Sequence, residues 1–439
     1  MAGGIFTVEN KIRPGAYINF TSVRSPYTTA ADRGVATMPL VMDWGAEGEV
    51  IEVLSSDLLD GKSLTKIGYT AADKGSLLFR ECLKNCYKLL AYRLNDGVKA
   101  EATLGNLEVT AACSGVRGND LKVSVVKNGD DFLVNTYLDN KLEDSQQVTG
   151  ISQLCANDWV KFSGEGELAA AVPTGLCGGD NGQITEGAYD AYFAKMLPFA
   201  WQVMGIPATG DALGLQLKNY IKNLRAEQGK KVQGVICDYA ADYEGIISSK
   251  QGYRTAQETV SAVDFVAWVT GVTAGATINK SNTYKIVEDA EALIGEMSNE
   301  EIKGALAAGY FVLSKRSDGK IVVEQDINTL VNYQPGLTDQ SFAKNRVIRT
   351  LDEVANQVAL IFEKYYLGKV DNSAAGRELF STDIINYCRS LAALGAIENL
   401  DIKEDIQVAE GGSKDSVLVT LGIWPLDSME KLYMTVEVG

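Results

Sequence analysis

The chain has 439 residues, 46% apolar and 22% charged, which is enough for about two to four domains with their own interiors and holds no apolar run of bilayer-spanning length. A net charge of −16 argues against nucleic acid, because binding to its backbone is driven by Lys and Arg displacing phosphate counterions. No histidine is present, which excludes Ser-His-Asp and Cys-His catalysis and His-ligated zinc, and leaves carboxylate and lysine chemistry open.

The first thirty residues read as extended. Ile5-Phe6-Thr7-Val8 has strand character, Pro14-Gly15 a turn, and residues 16–21 a β-branched and aromatic bias. Such an arm has little amphipathic surface and must pair elsewhere, in its own subunit or a neighbour. Residues 1–11 lack a basic start followed by an apolar run, so no signal peptide is expected and the chain is expected to stay in the cytoplasm where it is made.

Residues 31–97 follow an α/β pattern. A short apolar strand is expected over 38–43 and a helix over 76–90, with Leu78, Cys82, Cys86 and Leu89 on one stripe and Asp96-Gly97 as its end. The seven cysteines are thinly spread and suit reduced thiols, and no second pair or histidine completes a zinc site with Cys82 and Cys86. Residues 98–174 change to short alternating segments, 121–126, 132–137 and 159–162, separated by Asn128-Gly129 and Asp139-Asn140. That is the signature of a small antiparallel β domain inserted between α/β stretches.

Residues 175–335 resume the α/β pattern after the Gly-rich stretch 175–182. Tyr192, Phe193 and Met196 mark a helix, residues 199–205 a buried strand, Leu213, Leu217, Ile221 and Leu224 a second helix, and residues 232–237 a second strand. Strand, crossover helix and strand imply parallel pairing. A long apolar helix is expected over about 259–272, and a hairpin over 309–325 around Asp318-Gly319. Residues 336–439 begin with a helix over 349–366, in which Leu351, Val354, Val358, Ile361 and Tyr365 keep the 3.6 period. They end in two alternating strands, one with Val417, Val419, Leu421 and Ile423 on a face, the other with Leu432, Met434, Val436 and Val438.

Few segments invite chemistry. The 175–182 stretch exposes backbone N–H groups but lacks the P-loop lysine, so it reads as a linker or turn. Gly164-Glu165-Gly166 fits a loose dinucleotide fingerprint, yet Pro173 follows before a helix can form and two glutamates would repel a pyrophosphate. Asp238, Asp242 and Glu244 follow a strand at the sheet edge where α/β proteins place ligands and are the best enzyme or metal candidates, against a solvated loop. Residues 270–275 are small and apolar, as close packing at a helix end requires. Lys344, Arg346 and Arg349 cluster at a helix start, either as ordinary surface or as an electrostatic contact with a partner.

Several blocks resemble the sheath subunits of contractile phage tails, especially those of Gram-positive myovirus-like phages, defective prophages and phage-tail-like bacteriocins. They are Gly3-Gly4-Ile5-Phe6-Thr7 with residues 10–20, the Gly-rich stretch 175–182, residues 268–281, Asp326-Ile327-Asn328-Thr329-Leu330, and residues 344–358, and together they extend over nearly the whole chain.

The resemblance implies a multidomain α/β fold. Its parts would be a central subtilisin-like α/β sheet domain, an inserted antiparallel β-sandwich domain, and an α+β C-terminal domain with exchanged terminal strands. It implies a structural role without cofactor, metal or catalysis: a helical homopolymer of hexameric rings around an inner tail tube protein, joined to baseplate and tail-end proteins, that contracts to drive the tube through a target cell envelope. Such a particle would assemble in the host bacterial cytoplasm, with no nucleic-acid or membrane partner. The terminal strands expected to pass between subunits carry Ile5, Thr7, Tyr17, Ile18 and Phe20 at one end and Leu432, Met434, Val436 and Val438 at the other, with Pro14-Gly15 and residues 422–427 as hinges. Lys344, Arg346 and Arg349 are expected to face the tube. Two other readings stay open: an acidic cytoplasmic α/β enzyme using the carboxylates near Asp238, and a non-contractile virion structural protein.

Overall fold

A computed structural model describes residues 2–4, 13, 15–17, 33–398 and 400–438. The chain divides into two compact units, one of residues 37–83 and 87–200, the other of residues 84–86 and 201–439 with the N-terminal residues up to 36.

In the first unit, the strand Val50–Leu54 runs antiparallel to Lys88–Arg93, with Val50 opposite Tyr92 and Leu54 opposite Lys88. The helix expected over 76–90 is shorter than its apolar stripe. It spans Leu77–Leu83, and Leu89 through Arg93 are buried in the strand Lys88–Arg93. A continuously buried strand reads like a helix segment by periodicity, and here tertiary burial decided.

The β region forms two antiparallel sheets. One has the order Lys141–Val148, Asp131–Leu138, Leu121–Asn128, Ala171–Gly175, and the other Val160–Ser163, Leu107–Ala111, Glu101–Leu104. Both expected turns are present: Asp139 (φ 50°) and Asn140 (φ 66°) take the left-handed pair that matches strand twist, and Gly129 sits at φ 67°. Leu121, Val123, Val125, Val134 and Leu138 meet Leu107, Val109, Ala111 and Val160 in one core. This core is not self-contained. Trp44, fully buried, enters it from the preceding segment and packs on Trp159 at 5.5 Å, and Leu64 packs against it too.

The Gly-rich stretch is more ordered than a linker. The strand Asp180–Ile184 pairs antiparallel with Asn95–Val98, so the entry and exit of the β region form one ribbon. A Cβ on Gly182 (φ +66°) would lie 1.8 Å from the Asp96 carbonyl oxygen, and one on Gly97 2.2 Å from that of Asp180. The glycines serve this backbone approach.

In the second unit, Val203–Ile206, Gln233–Cys237, Ile246–Ser249 and Tyr310–Phe311 are successive parallel neighbours. The amphipathic helix Asp211–Ala226 supplies the crossover between the first two, burying Leu217, Ile221 and Leu224. The apolar helix starts later than expected, at Phe265, because Thr259–Val260 pairs with Tyr253 and Arg254 as a strand and Asp264 binds Ser261 at its entrance. Phe265 through Ala274 are all buried. The hairpin Leu313–Lys315 with Ile321–Val323 turns at Gly319 (φ 86°), as expected.

The C-terminal part is built on the helix Asn345–Ile361, which passes into one π-turn, Phe362–Tyr366. A second helix, Ala374–Ala393, capped by the Ser373 hydroxyl, and the hairpin Ile406–Glu410 with Val417–Leu421 close a core of Val354, Val358, Phe380, Ile384, Cys388, Leu391 and Ile406. At the N-terminus, Ala2–Gly4 pairs in parallel with Gly15–Tyr17. Ile5, Thr7, Ile18 and Phe20 lie outside the described residues. The second C-terminal strand takes no ladder partner among the described residues, and Leu432, Met434, Val436 and Val438 are all exposed.

Helix packing on the parallel strands leaves no room at Gly205, where a Cβ would come within 2.1 Å of the Thr270 hydroxyl. Gly205→Ala is expected to lower unfolding stability by about 1–3 kcal/mol, and Thr270→Ala in the same chain to restore part of it. Chemical denaturation of both variants checks this.

Candidate interaction face around Lys344 and the C-terminal tail

The start of the helix Asn345–Ile361 is tied down by one buried carboxylate. Asp326 Oδ2 lies 3.3 Å from Arg349 Nη2 and accepts from the Asn282 N–H at 2.9 Å, while Oδ1 accepts from Asn345 Nδ2 at 2.9 Å. Arg349 Nη1 also donates to the Lys280 carbonyl at 2.7 Å, and both side chains of the ion pair are fully buried. A buried pair of this kind needs its remaining donors and acceptors satisfied, and the Asn282 and Asn345 groups supply this for Asp326.

The three basic residues therefore do not form an exposed patch, which corrects the picture of a free cationic surface. Arg349 is internal. Arg346 is buried, its Nε without a hydrogen-bond partner; burial lowers its pKa, with the Asp427 charge opposing and Arg349 adding to the shift. Lys344 Nζ binds the Glu430 carboxylate and has Asp427 at 3.9 Å. Sequence spacing placed these cations together, but their acidic partners come from far along the chain.

Glu430 collects donors from separate segments: Lys344 Nζ, Gln325 Nε2 at 2.6 Å, the Thr283 hydroxyl at 2.8 Å and the Ser428 hydroxyl at 3.3 Å. Burial pushes its pKa upward, but hydrogen bonds from Lys344, Gln325 and Thr283 outweigh that, and the net shift is downward. The Thr283 hydroxyl also accepts from the Asp326 N–H at 2.9 Å, which joins the Glu430 site to the Asp326 ion pair. Nothing in the sequence pattern marks Glu430, a single acid beside an alternating strand.

The carboxylates after the strand Gln233–Cys237 do not converge. Asp238 binds Lys250 at 2.9 Å; Asp242, at φ 47°, accepts from the Val331 and Asn332 N–H groups, both at 2.9 Å; Glu244 lies 3.7 Å from Arg225, which also binds Asp352 at 2.5 Å. Each ties a loop to its own unit. Among the described residues no group of three or more acids or cysteines is arranged to hold a metal ion, and no helix is long and apolar enough to cross a membrane.

Four consecutive segments match phage tail sheath domains: the tail sheath protein Gp18 domain III N-terminal region over residues 33–94, the β-sandwich domain over 95–181, the central domain over 182–329 and the C-terminal domain over 338–439. The phage-like element PBSX protein XkdK of Bacillus subtilis (strain 168) is 33% identical, with all of both chains covered. The sheath tail protein of Desulfitobacterium hafniense superimposes with a TM-score of 0.85 at 39% identity, covering 97% of this chain and 100% of that one. The Listeria innocua sheath tail protein gives 0.80 at 32% identity, covering 93% and 96%. The helical sheath of the anti-feeding prophage in its contracted state shares the fold, with a TM-score of 0.57 and 12% identity over 98% and 99%.

The chain belongs to the phage tail sheath protein family. It is a structural protein of a phage or phage-like tail sheath and not an enzyme.

Removing one member of the buried pair strands the other. Asp326→Ala is expected to cost about 3–5 kcal/mol, and Arg349→Glu at least as much, whereas Lys344→Gln, at a partly exposed position, leaves the main thermal transition within about 2 °C of wild type. Scanning calorimetry of the three variants checks the ranking.

Proposed function

We propose that this subunit polymerises with copies of itself as stacked hexameric rings around an inner tail tube, engages a baseplate, and contracts to drive the tube through a target envelope. The observation that carries this reading is the C-terminal tail. Leu432, Met434, Val436 and Val438 alternate along an extended segment yet are 69–92% exposed, a costly arrangement for an isolated subunit and an ordinary one for a strand given to a neighbour. The hairpin Ile406–Glu410 with Val417–Leu421 is a two-stranded sheet and so offers open edges to receive it. The N-terminal arm, with Ile5, Thr7, Tyr17, Ile18 and Phe20, is the second donated element in this proposal.

Backbone hydrogen bonds across such joints would keep subunits connected while their domains rotate, so that work comes from two packings of one interface. Lys344 is the cation of the three with the most solvent access, whereas Arg349 is fully buried against Asp326, so the proposed tube contact at this cluster is kept for Lys344, beside the Glu430 carboxylate that holds it. The acidic net charge opposes premature association. The anti-feeding prophage sheath, seen in its contracted state, shares this fold, and that supports the contractile reading.

Two outcomes test it. Removing residues 1–20 is expected to give a folded monomer that does not polymerise, read by size-exclusion chromatography and electron microscopy; wild-type cylinders from that truncation contradict arm exchange. Replacing residues 98–174 by a short linker, with Trp44→Ser because its core is lost, is expected to leave cylinders of smaller outer diameter, since this region is proposed to lie outermost. A folded variant without any polymer contradicts that placement.

A further inference from the structure

We propose that Glu430 is a clasp that fixes where the C-terminal tail leaves its subunit, so that residues 431–438 alone are given to a second copy of this chain and 422–430 stay behind. The proposal rests on the reading that the tail is donated.

From Gly422 to Leu426 the chain is held closely, and Met429, between that stretch and Glu430, is fully exposed. The Gly422 N–H donates to the Asp405 carbonyl at 2.7 Å, and a Cβ at Gly422 would come within 2.6 Å of the Asp405 carboxylate. Ile423 packs against both C-terminal apolar clusters. Pro425 bridges Ile397, and the Leu426 N–H donates to the Ala396 carbonyl at 2.8 Å. Residues 422–427 are thus no hinge in this structure, contrary to the expectation from glycine and proline content.

The last fixed point is the Glu430 carboxylate. Its side chain is 10% exposed, and two residues later Leu432 is 85% exposed. The transition from held to free is therefore set by one side chain and by donors from three separate segments, at Thr283, Gln325 and Lys344. Charge-assisted hydrogen bonds of this kind are about twice as strong as neutral ones. Without Glu430, Asp427 at 3.9 Å is the acidic partner left to Lys344 among the described residues.

The anchor limits reach. Residues 431–438 span about 26 Å when extended, against roughly 56 Å if the chain were free from Gly422. The short span suffices to cover the five-residue strands of the hairpin Ile406–Glu410 with Val417–Leu421. A tail launched from a fixed point at matched length meets its acceptor at high effective concentration, and a longer free tail dilutes itself and can pair out of register.

The test uses the full-length chain, E430A, E430Q and a chain lacking residues 431–439. Hydrogen exchange of soluble subunits is expected to show slow exchange over 422–430 and fast exchange over 431–438, with fast exchange spreading back to 427 in E430A. E430A is expected to polymerise about tenfold more slowly, with an unchanged main thermal transition. E430Q, which keeps the neutral hydrogen bonds, falls between. Wild-type exchange and polymerisation rate in both Glu430 variants would overturn the clasp, even if loss of residues 431–439 abolishes polymers and so upholds donation. Normal polymers without residues 431–439 would instead overturn donation, and the exchange boundary would still decide whether Glu430 holds the tail.

Discussion

The buried ion pair between Asp326 and Arg349 is the constraint on which the C-terminal half depends. Asp326 gathers the Asn282 N–H, the Asn345 amide and the Arg349 guanidinium, and Arg349 reaches on to the Lys280 carbonyl. Three segments distant in sequence are thereby fixed at the first turn of the helix Asn345–Ile361. Breaking either member leaves an uncompensated charge in the interior, which is what makes loss of one partner costly.

Because Thr283 both accepts from the Asp326 N–H and donates to Glu430, this interior arrangement is felt at the surface where the tail departs. Lys344 stands immediately before the helix and completes the Glu430 site. A rigid interior thus ends in a small number of polar contacts that can be exchanged without disturbing the fold. The proposed strand donation would need both properties: a body that does not deform and terminal strands whose partners are supplied by another chain.

Much of this architecture was legible from periodicity and turn chemistry. Asn128-Gly129 and Asp139-Asn140 marked the hairpins because few residues tolerate φ > 0, and the stripe Leu217, Ile221, Leu224 between two apolar strands implied the parallel crossover. Residues 88–90, the start of the strand Lys88–Arg93, read as the end of a helix because Leu89 continues the stripe of Leu78, Cys82 and Cys86. The helix Ala374–Ala393 goes unread in the sequence analysis although Phe380, Ile384, Cys388 and Leu391 keep helical spacing; apolar side chains such as Leu379 and Ile385 outside that stripe blur its period. Trp44 in the β core, and the Asp326 and Glu430 partners of the basic cluster, depend on contacts across 19 to 147 residues of chain that no local pattern encodes.

The tail's alternation is visible in the sequence, but the contacts that hold the stretch before it are not. Glycine and proline near residue 422 suggest a hinge by composition, whereas Asp405, Ala396 and Ile397 immobilise that stretch by contact. The most direct measurement is a density map of assembled cylinders in which the C-terminus can be traced. It should show Glu430 against Lys344 of its own subunit and residues 431–438 continuing as a strand on the edge of a neighbour's hairpin Ile406–Glu410 with Val417–Leu421. A tail folded back on its own subunit, or one that has left it from Gly422 onward, would contradict this.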